Sequence, residues 1–147
     1  MKTAIPSLLA LIWVSACTPS APAPEEKSPA APPTTEAPGI RDVDLAEAKR
    51  LVDEESDLVI LDVRTAEEFA DGHLEGATNV DYLVAEEDFR KNLEGINRTA
   101  PILMHCQSGG RSAHVAEIMQ EMGFEDVAHL NAGFAGWKDA GHPVKIP

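Results

Sequence analysis

The hexapeptide LVILDV (58–63) constrains the fold more than any other stretch of the chain. It is apolar except for Asp62 and shows no polar–apolar alternation. A strand with one wet face alternates, whereas an unbroken apolar run suits a strand covered on both faces. ILMH (102–105) repeats the pattern, and VAHL (127–130) and ATNV (77–80) are shorter candidates. Helical periods lie between them. DLAEAKRLVDEE (44–55) sets Leu45, Ala48, Leu51 and Val52 on one stripe. TAEEFADG (65–72) offers Thr65 as a cap with Glu68 three residues on, a capping-box pattern. Residues 112–122 put Val115, Ile118, Met119 and Met122 on one face, and Gly123 ends that helix. GFAGWKDA (133–140) reads as a last short helix. This alternation predicts a three-layer α/β fold, a central, mainly parallel sheet with helices on both faces. In such sheets sites lie beyond the carboxyl ends of the strands. Arg64 and Cys106 both fall at such ends.

The amino-terminal 39 residues read differently. Ile5 to Ala16 form an apolar run after Lys2, too short for a bilayer, which takes roughly 20 residues. The run fits the apolar core of a secretory signal, residues 1–16. It ends in Val14-Ser15-Ala16-Cys17, which resembles the bacterial lipobox. That resemblance implies cleavage before Cys17, lipidation of Cys17 and attachment to a membrane. Residues 18–39 hold seven of the chain's 11 prolines and no leucine, isoleucine, valine or aromatic residue. Such a segment buries too little apolar surface to offset its ordering entropy. Residues 17–39 are therefore expected to be a lipidated cysteine and a tether. In polyproline geometry, at roughly 3.1 Å per residue, it spans on the order of 60 Å. Thr18 stands where an aspartate would resemble an inner-membrane retention signal. A cell-envelope location follows, on the periplasmic face and at the outer membrane in a Gram-negative host.

The domain is expected over 40–147. It carries 10 Lys and Arg against 22 Asp and Glu, a net charge of −12. Nucleic acid is excluded as a partner, because a phosphate backbone needs a basic face. Small anions are repelled at long range, so an anion site must work through local donors. No histidine pair has metal-ligand spacing. His105 and His114 flank a cysteine loop but read as structural or solvated.

That loop is HCQSGGRS (105–112), set between an apolar strand and a helix. The thiolate, not the thiol, is the nucleophile. Cys106 precedes a helix whose first N–H groups lack internal partners and favour negative charge. Gly109 and Gly110 let successive N–H groups face one point. Arg111 adds a cation with a fork of donors, and Ser112 a hydroxyl. Gln107 and Ser108 complete a polar surround that is wrong for an inert buried cysteine.

At this point the domain resembles a single-domain rhodanese, a sulfurtransferase family. LDVRTAEEFADGHLEGATNV (61–80) is similar to the family's first signature through Asp62, Arg64, Glu68, Phe69, Gly72, His73, Gly76 and Ala77. HCQSGGRS is similar to the active-site loop. GFEDVAHLNAGFAGWKDAGHPV (123–144) is similar to the tail signature through Gly133, Trp137, Gly141 and Pro143. The resemblance implies that Cys106 takes a sulfane sulfur from thiosulfate or another donor as a persulfide. It then passes that sulfur to a thiophilic acceptor such as cyanide or a thiol. Gln107, Ser108, Gly109, Gly110, Arg111 and Ser112 would form the cradle. Asp62 and Arg64 would fix the neighbouring strand end, Arg64 by pairing with Glu68, and His73 would order a loop. No cofactor or metal is implied, and a monomer is expected. Two alternatives remain: a binding or redox module of the cell envelope with little turnover, and a phosphatase. Rhodanese-fold phosphatases place five residues between cysteine and arginine, whereas QSGG supplies four. The loop departs from many rhodaneses in lacking a second basic residue, which puts thiosulfate in doubt as the natural donor.

Overall fold

The computed structural model describes residues 39–146. The expected signal peptide, Cys17 and all of the expected tether except Gly39 lie outside the described residues. Five strands form one parallel sheet: β1 (Ile40–Val43), β2 (Val59–Asp62), β3 (Thr78–Asn79), β4 (Ile102–His105) and β5 (Val127–Leu130). Their order across the sheet is β1-β5-β4-β2-β3. The expected strands 102–105 and 127–130 appear with those bounds, and 58–63 and 77–80 are trimmed at both ends.

Helices cover both faces. On one side α1 (Leu45–Glu54) and α5 (Gly133–Asp139) bury Ala48, Leu51, Phe134 and Trp137 against Ile60, Leu103 and Leu130. On the other, α3 (Glu86–Leu93) and α4 (Gly110–Glu121) bury Phe89, Leu93, Val115 and Met119 against Leu61, Met104 and Val127. Neighbouring residues of β2 and β4 therefore serve opposite cores, which accounts for their unbroken apolar sequences. Two elements escaped the sequence reading. β1, with the sequence IRDV, is an edge strand paired only to β5, so half of it can be charged. In α3, EEDFRKNL, only Phe89 and Leu93 are buried, too sparse a stripe to stand out in an acidic stretch.

The strand order locates a crevice. After β2 the chain moves outward to β3, and after β4 it moves the other way to β5. Adjacent strands whose connections diverge leave a gap between the loops at their carboxyl ends. The short helix α2 (Ala66–Ala70) follows β2 there, with the complete Thr65–Glu68 capping box. The loop after β4 occupies the other side. It starts α4 two residues earlier than expected, with Gly109 as N-cap at φ 89°. A side chain at Gly109 would run into the Asn131 carbonyl oxygen behind it.

The start of α5 presses equally hard on this loop. Phe134 N–H donates to the Cys106 carbonyl at 2.8 Å, and Ala135 N–H to that of Gln107 at 3.0 Å. A Cβ on Gly133, at φ 61°, would stand 2.7 Å from the Gln107 and Ser108 backbone. Gly133→Ala is expected to cost about 1–3 kcal/mol from backbone strain and overpacking. Urea denaturation should show this as a lower midpoint with an unchanged slope.

Candidate active site

Cys106 is the first residue past β4 and is 1 % exposed. Its sulfur is surrounded by donors rather than by hydrocarbon alone. The Ser112 hydroxyl lies 3.4 Å from Sγ, and the backbone N–H groups of Ser108, Gly109 and Ser112 also donate to it. Burial pushes the thiol pKa up, but these hydrogen bonds outweigh burial and the net shift is downward. Of the residues expected from Gln107 to Ser112, Ser108, Gly109 and Ser112 donate to the sulfur, while Gln107 turns its side-chain oxygen to Arg64 and Gly110 is exposed.

Two arginines frame the loop, and they do different work. Arg64 is 2 % exposed and Asp62 is fully buried. The Arg64 Nε donates to both Asp62 oxygens at 3.0 Å, and Nη2 to Oδ2 at 2.7 Å. Nη2 also reaches the Gly72 carbonyl at 2.7 Å, and Nη1 the Gln107 side-chain oxygen at 3.3 Å. The guanidinium lies 3.9 Å over the Phe134 ring, a cation–π contact that covers its face. Asn79 donates to the Asp62 and Arg64 carbonyls, tying β3 to the same knot.

The expected Arg64–Glu68 pair does not form. Thr65, the N-cap, is extended (φ −65°, ψ 160°), so Arg64 lies outside α2 and helical i,i+4 spacing does not apply to it. Glu68 instead pairs with Arg111 across the crevice. Nη1 donates to Oε2 at 2.6 Å and Nη2 to Oε1 at 2.8 Å, a bidentate fork. Arg111 therefore sits at the loop with its charge largely compensated. The Arg111 fork, partly opposed by burial, pulls the Glu68 carboxyl down to about 2.

His73 lies apart from the sulfur's partners and organises a turn. Its ring stacks on Phe69 at 3.8 Å, and its backbone exchanges two hydrogen bonds with Lys145. His105 is buried against Phe134, with Nδ1 3.2 Å from the Cys106 carbonyl and Nε2 3.8 Å from Asp62. Burial lowers its pKa, partly opposed by the nearby Asp62 carboxylate. His114 is exposed on α4, 3.4 Å from Glu117. Among the described residues no group of histidine, cysteine and carboxylate side chains is arranged to hold a metal.

The sequence reading missed His129 and Asp42. The Ser112 hydroxyl stands 2.8 Å from His129 Nε2, and His129 Nδ1 stands 2.8 Å from Asp42 Oδ1. A lone polar residue in the wholly buried strand VAHL was the available signal for His129. Asp42 becomes its neighbour only through the β1–β5 register.

Fold and site together define a parallel α/β domain that presents a thiolate-prone cysteine from a donor-lined loop at a strand's carboxyl end. The rhodanese-like domain family model matches residues 44–140, and the chain belongs to that family. Rhodanese-like domain-containing protein 17 of Arabidopsis thaliana is 32% identical over 119 residues, covering 74% of this chain and 75% of the relative. Thiosulfate sulfurtransferase 18 of the same plant is 31% identical over 121 residues, covering 76% and 88%. A rhodanese-like domain protein from Staphylococcus aureus superposes with a TM-score of 0.62 at 28% identity, covering 73% of this chain and 98% of its own. The chain is thus placed among the sulfurtransferases in general.

The Glu68–Arg111 fork has a pH signature. A carboxyl lowered from an ordinary value of 4.5 to about 2 contributes stability that is complete above 4.5 and is lost as pH falls toward 2. The pair is partly solvated, so the effect is modest. Glu68→Gln is expected to flatten the fall in melting temperature across that acid window, its modest deficit against the wild type being full and pH-independent above 4.5 and closing as pH falls toward 2.

Proposed function

We propose that the protein is a sulfurtransferase that carries a sulfane sulfur on Cys106. The Cys106 thiolate attacks the outer sulfur of the donor. With thiosulfate, the sulfur–sulfur bond breaks and sulfite leaves with the electron pair. Cys106 is left as a persulfide. An acceptor nucleophile, cyanide or a thiol, then attacks the terminal sulfur, and the Cys106 thiolate is released. The observation that carries this reading is the set of donors around Sγ, which lowers the thiol pKa despite burial. The same inward-facing N–H groups suit the anionic end of a persulfide. The four-residue spacing from Cys106 to Arg111 favours this small anion over the phosphate of a phosphatase. The remaining roles follow: Gln107 to Ser112 cradle the sulfur, and Asp62, Arg64 and His73 support the loops. The partners are a small sulfur-containing anion or a persulfide donor and a thiol acceptor. No cofactor is required, and the working unit is a monomer. A membrane link through lipidated Cys17 and the 17–39 tether would hold the domain in the cell envelope.

Cys106→Ser is expected to abolish thiosulfate-to-cyanide transfer and to leave the thermal melt close to wild type. Mass spectrometry after donor treatment should find one added sulfur on Cys106 and none in the variant. Turnover by the serine variant near the wild-type rate would overturn the proposal.

Donor choice should follow electrostatics. With Arg111 compensated by Glu68 and a net charge of −12 on 40–147, thiosulfate meets a repulsive field. Raising ionic strength screens that field. The kcat/KM for thiosulfate is expected to rise with salt, while that for an uncharged sulfane donor stays level. The anchor has its own test. Processing should be globomycin-sensitive, and Cys17→Ala should release the domain from the membrane fraction.

A further inference from the structure

The Cys106 thiol is buried, yet it must lose a proton before it can attack. A continuous line of hydrogen bonds runs from this sulfur to the far edge of the sheet. Sγ meets the Ser112 hydroxyl at 3.4 Å, that hydroxyl meets His129 Nε2 at 2.8 Å, and His129 Nδ1 meets Asp42 at 2.8 Å. His129 is buried in β5, whereas the Asp42 side chain, on edge strand β1, is 68% exposed. The line therefore starts at an enclosed thiol and ends in water. We propose that Ser112, His129 and Asp42 form a proton relay that ionises Cys106 and returns its proton, a role that rests on reading Cys106 as the sulfur carrier.

The hydrogen-bond inventory sets the direction. Ser112 has one hydroxyl hydrogen and three acceptors around it: Sγ, His129 Nε2 and the Gly109 carbonyl at 3.1 Å. Ionised Asp42 can only accept, so it takes the hydrogen on Nδ1 and leaves Nε2 of the neutral ring as an acceptor. In the resting thiol, S–H donates to the Ser112 oxygen and the Ser112 hydroxyl donates to Nε2. Ionisation moves two protons along this line, the thiol proton to Oγ and the hydroxyl proton to Nε2. No electron changes hands. The products are a thiolate that accepts from Ser112 and an imidazolium held between Oγ and the Asp42 carboxylate. The reverse motion reprotonates the sulfur.

The charged and titratable groups set against His129 are Asp42 from β1 and, through Ser112, Cys106 from the loop that opens α4. Its partner across β4 is Met104, which is neutral. Asn131, just past β5, also donates to Asp42, and with His129 it keeps that carboxyl below its usual range. His129 and Asp42 are positioning residues in this scheme, since neither touches the sulfur.

The test is the pH dependence of Cys106 alkylation by iodoacetamide in the full chain, which reads the thiol titration without any sulfur donor. His129→Gln should raise the thiol pKa by about one unit, tenfold less thiolate at low pH. Asp42→Asn should move it the same way by less, and the pH profile of sulfur transfer should follow in both. Asp42 is exposed, so its variant keeps the fold and tests the relay even if His129→Gln does not fold. Titrations unchanged in Asp42→Asn and in folded His129→Gln, or losses equal at every pH, would overturn the relay. Shifted titrations with no sulfur uptake by the wild type would instead overturn the sulfur-carrier reading.

Discussion

A buried ion pair holds the site in one piece. Asp62 ends β2 with its carboxylate out of water, and Arg64, two residues on, folds back over it. Burying two charges is expensive, and a pair of this kind contributes geometry more than stability. The geometry is what the site uses. One guanidinium reaches the strand end, the Gly72 turn and the Gln107 side chain, while Phe134 of α5 covers its face. The end of β2 and the Gly72 turn are thereby fixed to the loop that carries Cys106 and to the start of α5. Arg64 thus adds a buried link between the loops on either side of the crevice to the one that Glu68 and Arg111 make.

The second arginine solves a different problem. Arg111 stands at the first turn of α4, where it would be taken for the loop's cation, but Glu68 occupies both ends of its fork. The salt bridge staples α2 to α4 across the crevice. Negative charge on the sulfur is then supported by the Ser112 hydroxyl and the N–H groups of the loop, with Arg111 in reach of the sulfur besides its pairing with Glu68. Such donors act at contact distance and do not depend on the sign of the whole domain. A strongly acidic protein can thereby hold a thiolate in its interior.

The sheet's register adds a third layer. His129 and Asp42 lie side by side on β5 and β1, and His129 faces the same Ser112 that faces the sulfur. The site thus draws on the carboxyl ends of β2 and β4 and, through side chains, on the edge of the sheet as well.

Local and periodic signals in the sequence determined most of the fold. Apolar runs without alternation mark β2, β4 and β5, and the i,i+3/i+4 stripes mark α1 and α4. The Thr65–Glu68 box marks α2. The loop from His105 to Ser112 was legible because its chemistry is contiguous. Features that depend on long-range pairing were not legible. Edge strand β1 needs only one partner, so its sequence carries little apolar pattern. The Glu68 partner was misassigned to Arg64 because chain spacing places the two four residues apart. The cap at Thr65 turns Arg64 away, and the crevice brings Arg111 in from 43 residues downstream. His129 and Asp42 meet across 87 residues. The sequence alone determined which elements form and which cysteine they present, because helical and strand periods are local. Only the tertiary structure decided which carboxylate meets which cation and what lies behind Ser112. Those pairings are set by strand order and register, to which residues near in sequence are indifferent.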